Sequence, residues 1–171
     1  MIYEAREDSF LLAKHVEKYA IGSVLDVGTG SGIQAATARK FTKDVTAIDI
    51  DKEAVEFVKS KGINAFVSDL FQNVNGKFDL IIFNPPYLPE DQDEDDETAL
   101  QVSGGKKGNE IFERFIKQAA SYMKHDGKIL TLISDLTPDA EKIVSENGFN
   151  YEVLETQKLF MEELKVLLIF R

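Results

Sequence analysis

Two periods of hydrophobic patterning alternate along this chain, one of strand length and one of helical spacing. Apolar runs at residues 23–27, 45–48, 63–67, 78–83 and 128–133 have the length and β-branched or aromatic content of buried strands. Between them, residues 31–40, 51–61, 109–124 and 138–147 carry apolar positions at helical spacing. Boundary residues agree. Asp51 suits a helix N-cap, Gly62 a helix end, Pro138 a helix start, and Gly148 the position just past the last helix. Ahead of the first strand, Phe10, Leu11, Leu12, Ala13 and Val16 predict a further helix over residues 8–19. After the last helix, two more strands at 151–157 and 163–170 follow with little between them, so they should pair antiparallel.

Strands alternating with helices predict an α/β fold, a doubly wound, mainly parallel seven-stranded sheet with a C-terminal antiparallel hairpin. At 171 residues the chain is expected to form a single domain over its whole length. Open sheets of this kind take ligands at the carboxyl ends of their strands. The polar motifs of this chain fall there.

In Asp26-Val27-Gly28-Thr29-Gly30-Ser31-Gly32 the three glycines follow the first strand. Glycine at alternate positions permits a tight turn whose backbone N–H groups approach a polar ligand. The dinucleotide fingerprint has a different glycine spacing and no preceding carboxylate, and Asp26 would repel a pyrophosphate but attract an ammonium group. Asp49 closes the second strand, placed to accept ribose hydroxyls, and Ile50 beside it is placed to cover a purine face. Asp69, with Leu70, ends the third strand and offers an acceptor for an exocyclic amine.

The fourth strand runs into Asn84-Pro85-Pro86-Tyr87. Two prolines stop a strand because neither offers an N–H to the ladder and each fixes φ. The Asn84 side-chain oxygen and the backbone carbonyls of Asn84 and Pro85 then form a rigid row of acceptors for a planar NH2 group, with Tyr87 as an aromatic wall.

Composition narrows the chemistry. Cysteine is absent and only His15 and His125 are present, which excludes thiolate chemistry and leaves no metal site expected. The two histidines read as surface or capping residues, and Phe71 and Phe115 as aromatics within reach of the pocket. No apolar stretch is long enough to span a bilayer, and the charged start is not a secretory signal, so a cytoplasmic protein with no membrane association is expected. Net charge is −10, but seven of the 30 acids lie in residues 90–97, leaving 23 acids against 20 bases elsewhere. That run reads as a solvated loop, or as a device that steers a basic protein surface to the site. Beside Asn84 it opposes direct DNA binding.

The segment Tyr3 to Leu12, with Asp26 to Gly32, Asp49, Asp69 and Asn84 to Tyr87, resembles the HemK family of class I S-adenosylmethionine-dependent methyltransferases, whose fold is Rossmann-like. Members methylate the glutamine amide of the Gly-Gly-Gln motif in translation release factors. The resemblance covers almost the whole chain and is to the archaeal and eukaryotic branch, which starts almost directly at the Tyr3 segment. The bacterial branch has an extra N-terminal helical domain, so recognition of the substrate is expected to differ. Ala5 stands where many relatives have proline.

The resemblance implies that S-adenosylmethionine is the methyl donor. It places the methionine portion on Asp26, Gly28, Gly30 and Gly32, the ribose on Asp49, and the adenine on Asp69 with Leu70. Asp8 and Ser9 would close over the cofactor. Asn84, which also borders the cofactor, would with Pro85 grip the substrate amide, Pro86 would stiffen the turn, and Tyr87 would pack on the amide. It also implies a small zinc-binding activator protein added to the sheet edge at residues 63–67, a strand without Lys or Pro. Two other readings fit parts of the pattern: an RNA or DNA methyltransferase acting on the exocyclic amine of adenine or guanine, and an inactive cofactor-binding subunit.

Overall fold

A computed structural model describes residues 6–86 and 105–171. Tyr87 and the acidic run 90–97 lie outside the described residues. Seven strands form one sheet: β1 (Val24–Val27), β2 (Val45–Asp49), β3 (Asn64–Val67), β4 (Phe78–Phe83), β5 (Met123–Ser134), β6 (Asn150–Lys158) and β7 (Glu163–Phe170). Their order is β3-β2-β1-β4-β5-β7-β6. The first five run parallel, and β7 lies antiparallel between β5 and β6. The expected architecture, hairpin included, is present.

Parity along each strand explains why the runs are continuously apolar. Leu25, Val27, Ile48, Ile81 and Phe83 enter one core with α4 (Glu110–Ala119) and α5 (Ala140–Glu146). Val24, Ala47, Leu80 and Ile82 enter the other with α1 (Glu7–Tyr19), α2 (Ile33–Ala38) and α3 (Lys52–Ser60). Both faces are covered, so both parities must be apolar. Asp51 caps α3 as expected, accepting from the Glu53 N–H at 2.8 Å.

Four expectations are corrected. Phe10 is 59% exposed, and the apolar part of the buried stripe of α1 is Leu11, Leu12 and Val16. His15 is buried, its Nε2 2.7 Å from Glu155 Oε2 on β6, and serves as a tertiary tie rather than a surface group. Phe71 and Phe115 are core residues: Phe115 stacks on Phe71 at 5.4 Å and meets Phe83 at 4.4 Å between ring centres. Pro138 precedes α5 by two residues, and Asp139 between them adopts φ 57°.

Candidate functional site

Register brings the motifs together. β1 lies between β2 and β4, with Val27 beside Ile48 on one side and Phe83 on the other. The residues that follow, Gly28 onward, Asp49 and Asn84, therefore emerge side by side at the carboxyl edge. Asp26 and Asn84 share a parity and both meet elements of the α1–α2 face: Asp26 accepts from Ala35 N of α2, and Asn84 donates to Asp8 of α1.

The glycine turn is held from three directions. Thr29 N donates to Ile48 O at 2.9 Å, Gly30 N to Asp49 Oδ2 at 2.8 Å, and Gly32 N to Thr29 O at 2.8 Å. Gly28, Gly30 and Gly32 all have positive φ. At Gly32, with φ 76°, an added Cβ would also stand 2.8 Å from Val58 Cγ2 of α3. Gly32→Ala should therefore cost about 1–3 kcal/mol from left-handed strain and crowding. Urea denaturation of the variant measures it, and an unchanged midpoint would mean the turn is not under that constraint.

Asp26 is fully buried, and Oδ2 accepts from Thr29 Oγ1 at 2.7 Å and from Ala35 N at 3.0 Å. No basic side chain pairs with it among the described residues. Burial pushes its carboxyl up to about 7, a rise that those two donors oppose and that the charge of Asp49 reinforces. Burial also raises Asp49, against the N–H groups of Asp51 and Gly30. Two carboxylates short of positive charge, beside a turn of backbone donors, suit a ligand that brings a cation and hydroxyl donors.

Asn84 is the other half of the site. Its Nδ2 donates to Asp8 Oδ2 at 2.8 Å, while its Oδ1 is buried and has no hydrogen-bond partner among the described residues. An orphaned buried acceptor costs about 1–3 kcal/mol, and a donor from a substrate would recover it. Thr131 Oγ1 of β5 holds the carbonyl of Phe83 at 2.8 Å, so the backbone entering the double proline is anchored. Pro85 is buried and Pro86 half-buried.

Residues 6–161 match the methyltransferase small domain family. The chain belongs to that family. Over 99% of its length it is 40% identical to a protein of Methanocaldococcus jannaschii named a protein N5-glutamine methyltransferase, of which it spans 92%. It is 34% identical to the release factor glutamine methyltransferase of Streptococcus pneumoniae, over 63% of this chain and 44% of that one. The chain thus spans less than half of that bacterial relative. Its fold superposes with TM-score 0.81 on a chain of the E. cuniculi Mtq2-Trm112 complex, described as responsible for methylation of the eRF1 translation termination factor. That match has 26% identity over 99% of this chain and 98% of that chain.

In this methyltransferase the remaining expected residues sit as follows. Asp69 lies at the end of β3, ion-paired with Arg114 of α4 at 2.8 Å, a partner that only the fold supplies. Leu70 is buried with φ 48°, its carbonyl accepting from Ser68 Oγ at 2.7 Å. A non-glycine residue in that region is strained, and such strain concentrates at ligand sites. Ile50 is half-exposed on the same edge. Ser9 is buried, and its carbonyl accepts from Gln34 Nε2 at 2.9 Å. Gln34 was not among the expected site residues. Its signal was a glutamine in the otherwise small and apolar run Ile33 to Ala38, where its side chain is now buried between α1 and α2.

Proposed function

We propose that this enzyme transfers a methyl group from S-adenosylmethionine to the side-chain amide nitrogen of the glutamine in the Gly-Gly-Gln motif of a translation release factor. The observation that carries the substrate chemistry is the orphaned Oδ1 of Asn84 at the end of a strand stiffened by two prolines. A primary amide presents two N–H donors in one plane. Asn84 Oδ1 and the Pro85 carbonyl would accept them, orienting the nitrogen and stabilising the positive charge that develops on it as the new bond forms.

The cofactor would supply a methyl group activated by a sulfonium. Fit to this chain rests on the cation-deficient Asp26, the donors of the glycine turn and the acceptors of Asp49, with Ile50, Asp69 and Leu70 placed for the purine. The chain itself binds, orients and excludes water. No side-chain base is required, because alignment of nucleophile and electrophile supplies much of the rate through effective molarity, and the amide proton leaves to water after transfer.

Mass spectrometry of the release factor after incubation with enzyme and S-adenosylmethionine tests the reading. One added methyl on the Gly-Gly-Gln glutamine is expected. Tight cofactor binding with no such product would move the acceptor to an exocyclic amine of RNA.

A small activator protein at the β3 edge is part of the same proposal, supported by the complexed state of the E. cuniculi neighbour. β3 closes the sheet order, and Val67 is exposed there. Ser68 N donates inward to Asp49 O, so by strand alternation the N–H groups of Ala65 and Val67 face outward. Val67→Pro removes an outward donor without touching the β2 ladder. It should weaken binding of a zinc-binding activator from the same organism by at least about tenfold, as strand addition relies on main-chain bonds. Full binding by the variant in a pull-down would place the activator elsewhere.

A further inference from the structure

Asp8 is hydrogen-bonded to Asn84, the residue that the proposed function turns towards the substrate. The first turn of α1 carries Asp8 and Ser9, both buried, and is pinned to α2 through the Gln34 bond to the Ser9 carbonyl. Ser9 Oγ lies 3.4 Å from Asp8 Oδ1, and Asp8 Oδ2 receives the Asn84 amide at 2.8 Å.

An ionised carboxylate only accepts hydrogen bonds, whereas an asparagine amide has a donating and an accepting end. Facing Asp8, Asn84 can present only its NH2. Its oxygen is thereby directed away from Asp8, and that oxygen is buried without a partner among the described residues. Rotating the amide by half a turn would set oxygen against oxygen and offer a second NH2 to the substrate NH2, where neither could accept. Donation to a charged acceptor also polarises the amide and makes its oxygen a stronger acceptor.

We propose that Asp8 is a positioning residue, which locks the Asn84 amide with its oxygen towards the substrate nitrogen and strengthens it as an acceptor. The inference rests on the glutamine-methylation reading for its kinetic consequence, but not for the contact itself. The role is distinct from the cofactor contact that the family resemblance implied for Asp8.

The test combines kinetics with a spectroscopic probe of Asn84. Asp8→Ala should lower kcat about 100-fold, the scale of losing one well-placed electrostatic group, with cofactor Kd held within about threefold. Asp8→Asn keeps one acceptor oxygen and should recover about tenfold of that loss. Either change introduced into Asn84→Ala should have no further effect on kcat, as expected of residues acting through one another. In proton–nitrogen NMR spectra of the full chain, the wild-type Asn84 side-chain NH2 should show one strongly downfield proton that disappears in Asp8→Ala. Additive losses in the double variant, or a cofactor affinity that falls in step with kcat, would overturn the proposal. Should wild type fail to methylate glutamine, the substrate reading fails instead. The NMR comparison then decides the Asp8–Asn84 lock alone, and an unchanged Asn84 resonance in Asp8→Ala would refute it.

Discussion

Asn84→Ala is expected to lower turnover on the release-factor glutamine about 1,000-fold while leaving S-adenosylmethionine binding within about threefold, as for loss of a preorganised polar group aimed at developing charge. The substitution removes the buried acceptor Oδ1 and leaves Asp8 without the amide it now receives. Little of the fold depends on it, since Pro85 and the Phe83 carbonyl are held separately by packing and by Thr131. Asn84→Asp should be about as inactive. It restores an acceptor of nearly the same shape, but sets a second carboxylate against Asp8, where repulsion would displace it or force one of the pair to take a proton. Single-turnover methylation with saturating cofactor, followed by mass spectrometry, measures both variants. Substantial activity in Asn84→Ala would remove this residue from catalysis.

The second large effect is on stability, and it runs against function. Asp26 has an ordinary pKa of 3.8 when unfolded and about 7 when folded. Below pH 3.8 the carboxyl is protonated in both states and carries no penalty. As pH rises from there, the unfolded chain releases a proton that the folded chain keeps, and the folded state loses stability until the carboxyl ionises near pH 7. The penalty is then on the order of 4 kcal/mol. Asp26→Asn removes the titration and can still accept from Thr29 and Ala35 through its oxygen.

The stability of Asp26→Asn relative to wild type should therefore rise between pH 4 and pH 8 by that amount, read from urea unfolding of the cofactor-free proteins at each pH. A constant difference would show that Asp26 does not titrate in this way. The same variant should bind S-adenosylmethionine about 10- to 100-fold more weakly, the scale of one charged hydrogen bond. Binding to wild type at pH 7 should release part of a proton, because an ammonium beside Asp26 favours its charged form. Calorimetry in two buffers of different ionisation enthalpy reads that release.

Much of the fold was legible because a parallel sheet covered on both faces makes its strands continuously apolar, as in Phe78 to Phe83. The less legible parts are those where polar residues enter ordered structure. β5 begins at Met123, with Lys124, His125 and Asp126 inside it, because the register against β4 shifts between Phe78 and Leu80 and accommodates them. Lys124 gains Asp79 as a partner at 2.7 Å, which no local pattern discloses.

By itself the sequence determined which residue types stand at which strand ends: Asp26 within β1 and three glycines just after it, Asp49 as the last residue of β2, Asp69 after β3, and Asn84 with two prolines after β4. These are local matters of backbone freedom, strand termination and side-chain chemistry, and a chain position fixes them. Only the tertiary structure decided which of those groups meet. It set β4 beside β1, turned Asn84 towards Asp8, tied Ser9 to Gln34, gave Asp69 to Arg114 and buried His15 against Glu155. Those pairings join residues 25 to 140 positions apart. They exist because packing two helical layers on a twisted sheet leaves each buried polar group only the partners that the fold brings within reach.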